Sequence, residues 1–302
     1  MNKQNPANKQ NPATGPLLAM SSMTISQLGA TLAVPLMLTH GSFGISSMRL
    51  ACAALVSVLL IRPDFRRFSA AQWKAALALG TAMAVMTLCY LQAVTLLPVG
   101  PAITIDFLGP LAVAVVSLRG AARYVLPALA LAGVLAMTFS AGGWLLAPVG
   151  IAFAAASGVA WAAYIVGMRR VGQLFTKQQG LCLSFVVAAI VALALSSSFA
   201  RPEMKWADLP IAAGLAVLSP LLPFTLEMAA LRRLPMAVFS IMMSLEPAIG
   251  TLLGFLILRQ ALSAQQSAGI LLVITASVAA VVLGSRGVRL RTGEPSPAEM
   301  LL

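Results

Sequence analysis

LPVGPAITIDFLGPLA (97–112) and LPMAVFSIMMSLEPAI (234–249) align without a gap at an offset of 137 residues. Leu-Pro opens both stretches, Pro110 falls on Pro247, and just upstream Tyr90 falls on Glu227. Each stretch lies inside a long apolar run. Working outward from the pair, runs of about 20 apolar residues, the length a bilayer requires, occur at 16–38, 42–61, 72–96, 98–118, 122–140, 145–168, 178–198, 207–231, 235–258 and 264–284. Five fall in each half. A repeat with an odd number of spans must enter the membrane in the opposite sense in its second copy, which is the inverted-repeat plan of secondary transporters. The expected fold is therefore an all-α membrane protein of ten transmembrane helices, arranged as two inverted five-helix repeats at 16–140 and 141–284. A tail at 1–15, which carries NKQNPA twice, and a polar C-terminal tail at 285–302 flank them and are expected to lack structure.

Composition agrees with burial in lipid. The 302 residues are 60% apolar and 9% charged, with a mean hydropathy of +0.93, against about 25% charged residues in soluble domains. The net charge of +12 does not point to nucleic acid, because the basic residues sit between spans rather than on one aromatic-bearing face. Cys52, Cys89 and Cys182 lie within apolar runs and read as packing residues.

Charge placement orients the chain. With the N-terminus in the cytoplasm, 16 of the 20 Lys and Arg residues fall on the cytoplasmic side, among them Arg62, Arg66, Arg67, Lys74, Arg169, Arg170, Arg232 and Arg233. The positive-inside rule then puts both termini in the cytoplasm, as expected for a multi-pass protein of a bacterial inner membrane. Trp73, Trp144 and Trp206 stand near span ends, as interfacial anchors do.

Three acids, Asp106, Glu227 and Glu246, fall inside spans, and intramembrane ionisable groups mark function by default. Glu246 is the deepest, about eleven residues or about 16 Å into its span; it can load and release a proton or hold a substrate ammonium. Asp106 and Arg49 both sit about 11–12 Å from the periplasmic side. They form either an ion pair or two ends of a substrate clamp, since a guanidinium suits a carboxylate. Glu227, near the cytoplasmic end of its span, serves as a gate or snorkels toward Arg232 or Arg233. Tyr90, Gln92, Trp161 and Tyr164 are amphipathic groups suited to a cavity wall. Pro110 and Pro247 each free the carbonyl four residues earlier and, with Gly109, mark kinks at matched depth in the two halves.

No HExxH, Ser-His-Asp set or phosphate-binding GxxxxGK[ST] occurs, and His40 is the single histidine, so neither zinc hydrolysis nor nucleotide hydrolysis is indicated. No metal or cofactor is implied. The alternatives to a carrier are an intramembrane hydrolase and a passive channel, and single carboxylates on non-equivalent spans fit a carrier better. Expected partners are a small-molecule substrate, protons and the lipid bilayer, with the chain a monomer or homodimer.

FLGPLAVAVVSLR (107–119) and LPFTLEMAALRRLPMAVFSIMMSLEPAIGTLLGFLIL (222–258) resemble the threonine and homoserine exporters of the drug/metabolite transporter superfamily. The resemblance implies two EamA-type repeats and proton-driven outward movement of small amino acids. Glu246, Pro247, Glu227, Gly109 and Pro110 match the family pattern. Asp106 stands where relatives commonly carry Glu, and Arg259-Gln260 replace a Gly-Glu that often ends the ninth span. The alternative reading is a proton-coupled exporter of other metabolites, aromatic amino acids or cationic drugs, since one scaffold serves many solutes.

Overall fold

A computed structural model describes residues 13–97, 99–138, 147–176, 178–199, 209–246, 248–249, 252 and 263–292, and among these all regular structure is helical. The order is α1 (Thr14–Ile61), a 3-10 turn (Phe65–Arg67), α2 (Ala70–Leu96), α3 (Val99–Ser117), α4 (Ala122–Thr138), α5 (Pro148–Leu174) and α6 (Gln179–Phe199). Then follow α7 (Leu209–Ala216), a π turn (Val217–Leu221), α8 (Leu222–Leu231), α9 (Met236–Met242) and α10 (Ala264–Thr292).

The starts and stops have local causes. Ser69 caps α2 with a reciprocal box: its hydroxyl accepts from the Gln72 N–H at 3.3 Å, and its own N–H donates to Gln72 Oε1 at 2.9 Å. Such a box satisfies two of the orphan donors at a helix start. Pro148 opens α5 at a position where a missing N–H costs nothing. The α5 helix runs past the expected end at 168 to Leu174 and so carries Arg169 and Arg170 on helix. The α10 helix likewise continues beyond 284 to Thr292. The helix therefore continues into the stretch expected to be an unstructured tail. At the other end the helix begins at Thr14, within the expected tail.

Helical geometry joins the first two expected spans, 16–38 and 42–61, without a non-helical linker. They are nevertheless two arms. A methyl group on Gly29 would sit 2.7 Å from Ser219 Cβ, while Arg49 Nε lies 2.9 Å from the Ser219 carbonyl. A straight helix would separate Gly29 and Arg49 by about 30 Å, so the chain reverses between them. Helix α1 packs on α6, α7 and α8.

Five described stretches are long and apolar enough to cross a bilayer: Phe43–Ile61, Ala70–Leu96, Pro148–Leu174, Gln179–Ser196 and Ala213–Leu231. Ile105–Ser117, Ala122–Ala136 and Ser267–Ala280 are shorter apolar helices. Leu60, Val116 and Val159 are more than 70% exposed, a waste of apolar surface in water that lipid removes. Inside, α2 packs on α5 and α6, α3 on α5 and α9, and α4 on α10. The three cysteines are unpaired, with Cys52 and Cys182 buried, as packing residues should be. Trp73 stands on Phe65 at 6.4 Å beside the α2 start; Trp144 and Trp206 lie outside the described residues.

Candidate functional site

A cavity of about 220 Å³ opens between α1, α2, α3, α5, α8 and the segment after α9. A cavity of roughly 10–15 Å³ already admits one water, so this one has room for several. Each helix presents one face, as residues three or four apart must. The α2 helix contributes Met86, Thr87, Tyr90 and Leu91, α3 contributes Ile103, Asp106 and Phe107, and α5 contributes Trp161 and Tyr164. Phe224 and Glu227 come from α8, and Met243 and Glu246 follow α9. The first arm of α1 supplies Ser26 and Gln27, and the second supplies Ser46, Arg49 and Leu50.

All three intramembrane acids thus face one space, and their surroundings differ. Glu227, 7% exposed, is held at both oxygens: Ser22 Oγ lies 2.8 Å from Oε1, and the Tyr164 hydroxyl donates to Oε2 at 2.6 Å. The expected snorkelling toward Arg232 or Arg233 does not occur. Arg232 donates to the Phe175 carbonyl at 3.0 Å and Arg233 to that of Ala229 at 2.8 Å, because Glu227 lies on the inward face of α8. Glu246 accepts from Gln27 Nε2 at 3.3 Å. Asp106 is 6% exposed, and its Oδ1 has no hydrogen-bond partner among the described residues. The Ser157 hydroxyl beside it donates to the Met86 carbonyl at 3.0 Å.

Arg49 does not pair with Asp106, although both line the cavity. Its Nε and Nη2 donate to the Ser219 carbonyl at 2.9 and 2.8 Å, and Nη2 also reaches Ser219 Oγ at 2.6 Å. The reason is local. Ser219 has φ −163° and ψ 111°, a break in the helix, and the residue four on is Pro223, which has no N–H to offer its carbonyl. The guanidinium takes that freed acceptor, leaving Nη1 as the guanidinium nitrogen with no protein acceptor among the described residues. No carboxylate of a described residue lies within ion-pair distance of Arg49; Asp64 with Arg67, at 2.8 Å, is such a pair and lies in a loop.

Gly109 and Gly158 place Asp106. A methyl group on Gly109 would run into the Gly158 carbonyl, and one on Gly158 would sit 2.9 Å from the Asp106 carbonyl. The α3 and α5 backbones therefore touch at this crossing, as small residues allow. Pro110 lies buried within α3 and leaves the Asp106 carbonyl without its usual donor. Of the expected wall residues, Tyr90, Trp161 and Tyr164 line the cavity. Trp161 meets Phe107 edge-on at 6.3 Å, and Tyr164 packs on Phe224 at 5.0 Å. Gln92 does not line it, since two residues from Tyr90 is roughly 200° around the helix. Pro247 lies outside the described residues.

Ser22, Gln27 and Ser219 were not foreseen. The signal for the first two was a polar stripe in an apolar span, Ser22, Ser26 and Gln27, four and five residues apart; for Ser219 it was the Pro220 and Pro223 that follow.

Residues 148–282 match the EamA-like transporter family. Over 273 residues the chain is 32% identical to a protein named threonine/homoserine exporter RhtA from Salmonella typhimurium, covering 87% of this chain and 88% of that one. It is 30% identical over the same shares to the protein of that name from Escherichia coli K12. The chain belongs to the EamA-like transporter family. As a family member it is a multi-pass membrane transporter and not an enzyme. A crystal structure with 18% identity and a TM-score of 0.72 covers 91% of this chain and 98% of its own, which shows a shared fold over nearly the full length.

Proposed function

We propose that this protein exports small amino acids, of the threonine and homoserine kind, across the bacterial inner membrane in exchange for protons. The observation that carries the reading is that carboxyl groups from three separate elements, Asp106, Glu227 and Glu246, face one cavity with a guanidinium that has no carboxylate partner among the described residues. One guanidinium cannot neutralise three carboxylates, and like charges in a dry cavity resist joint ionisation. Protons make up the difference when the cavity is empty. An arriving ammonium replaces a proton, which is antiport by exclusion. Glu246 and Asp106, whose oxygens are the less engaged by the protein, receive the ammonium; Arg49 Nη1 is placed for the carboxylate.

Two inverted five-helix repeats, at 16–140 and 141–284, supply the alternating access. The support is positional. At the 137-residue offset, Tyr90 and Glu227, Thr87 and Phe224, and Asp106 and Met243 are matched pairs, and every one of these residues lines the cavity. The family match also begins at the first residue of α5. Both termini are cytoplasmic by the distribution of Arg and Lys.

The test is efflux of preloaded radiolabelled threonine, homoserine and a panel of other amino acids from cells carrying the protein, with and without a proton uncoupler. Uncoupler-sensitive efflux of threonine or homoserine above the empty vector is expected. Efflux confined to cationic aromatic compounds would instead favour drug export, which the excess of acid and the aromatic wall of Phe107, Trp161 and Phe224 would serve.

A further inference from the structure

We propose that Glu227 and Ser22 form the proton-coupling site of the transporter, separate from the groups that hold the solute. This rests on the antiport reading above and says which carboxyl group carries the exchanged proton.

Ser22 Oγ lies 2.8 Å from Glu227 Oε1 and 3.0 Å from the Pro223 carbonyl, and a hydroxyl has one hydrogen to donate. When Glu227 is ionised, Ser22 donates to Oε1 and Tyr164 donates to Oε2. When Glu227 is protonated, its Oε1–H donates to Ser22 Oγ, and the Ser22 hydrogen turns to the Pro223 carbonyl. Tyr164 continues to donate to Oε2 in both states. Neither state leaves a buried donor idle, so the proton can come and go without the penalty of an unsatisfied group. Asp106 and Glu246 lack such an arrangement. Asp106 Oδ1 has no described partner, and Glu246 has one long amide contact; both are left for a ligand.

The remaining charged and titratable groups around Glu227 fit this division. Tyr164 of α5 bonds to it, Tyr90 of α2, Asp106 of α3 and Glu246 face it across the cavity, and Arg49 of α1 is held by Ser219. The basic residues of its own helix end, Arg232 and Arg233, are bonded elsewhere. Among the described residues, therefore, no cation clamps Glu227 in the ionised form. In the exchange step the Oε1–H bond breaks, the proton passes to cavity water, and Ser22 swings from Pro223 to Oε1. The same hydroxyl bridges the first arm of α1 to α8, so protonation changes the contact between two elements that line the cavity.

The experiment uses purified protein in liposomes and two fluxes of radiolabelled threonine: net flux driven by a pH gradient, and threonine–threonine exchange with no gradient. Glu227→Gln reproduces the neutral form, since the amide donates to Ser22 and its oxygen accepts from Tyr164. It should abolish gradient-driven flux, and exchange should fall with it, because the solute-loaded form of an antiporter is the one in which this carboxyl has given up its proton. Ser22→Ala, which leaves the carboxyl ionisable, should lower gradient-driven flux about tenfold, the loss of one hydrogen bond to a charged group, with exchange preserved, and Ser22→Thr should restore it. Undiminished gradient-driven flux in Glu227→Gln overturns the proposal. So does parallel loss of both fluxes in Ser22→Ala with no recovery in Ser22→Thr, which would make the contact structural. Wild type that exchanges threonine but ignores the gradient overturns the antiport reading itself, and this inference with it.

Discussion

Replacing Gly109 by Ala perturbs the site without touching a charged group. The added methyl would overlap the Gly158 carbonyl, and ordinary contact begins at 3.4 Å, so α3 and α5 must part by more than about 1 Å at the crossing. Neither partner is the tip of a flexible side chain; both are helix backbone. Overpacking of this kind costs about 1–3 kcal/mol. Asp106 lies less than one turn from Gly109 and moves with it, and a misplacement of about 1 Å at a functional group can cost on the order of a hundredfold in rate. Thermal unfolding in detergent should show a midpoint lowered by several degrees, and threonine efflux should fall more than tenfold. Gly214 is the control: it lies in α7 with nothing within 4 Å of an added methyl. Gly214→Ala should leave transport unchanged and hold or raise stability by up to about 1 kcal/mol. Wild-type efflux and midpoint in Gly109→Ala would refute the claim that this crossing positions Asp106.

Asp106→Asn alters a carboxyl group whose Oδ1 has no partner among the described residues to lose, so stability should stay within about 1 kcal/mol of wild type while efflux falls at least tenfold. Arg49→Ala should destabilise the protein by about 1–3 kcal/mol, because it strips the Ser219 carbonyl of its donor; Arg49→Lys, which keeps the charge without the two-nitrogen grip, should recover only part, both read by thermal unfolding. Ser69→Ala should cost about 1 kcal/mol through the α2 cap and leave efflux as it was, since the cap lies outside the cavity.

The acids were legible because a charge in an apolar span needs a reason to be there, and Asp106, Glu227 and Glu246 all proved to face one cavity. Distance along a span follows from 1.5 Å per residue. Azimuth does not. Arg49 and Asp106 match in depth, yet Arg49 turns to Ser219, and of the two roles open to Glu227 the snorkelling toward Arg232 or Arg233 fails because it faces the other way. Gln92 was placed on the wall beside Tyr90 without regard to the helical turn between them. The serines escaped notice because a hydroxyl bonds back to its own helix at little cost, as Ser184 does to the Gly180 carbonyl at 2.9 Å. What separates Ser22 from Ser184 is the neighbour it faces, which only the packing of α1 against α8 supplies. Ser219 could have been found by applying to Pro223 the carbonyl rule applied to Pro110.

The measurement that bears most directly on the account is simultaneous recording of threonine and proton movement in liposomes containing the purified protein, wild type and Glu246→Gln, with an internal pH dye. The account predicts that threonine moving one way drives protons the other way in wild type, and that both fluxes vanish in Glu246→Gln although the protein remains folded. Threonine movement with no accompanying proton flux, or coupled fluxes that survive in Glu246→Gln, would contradict it.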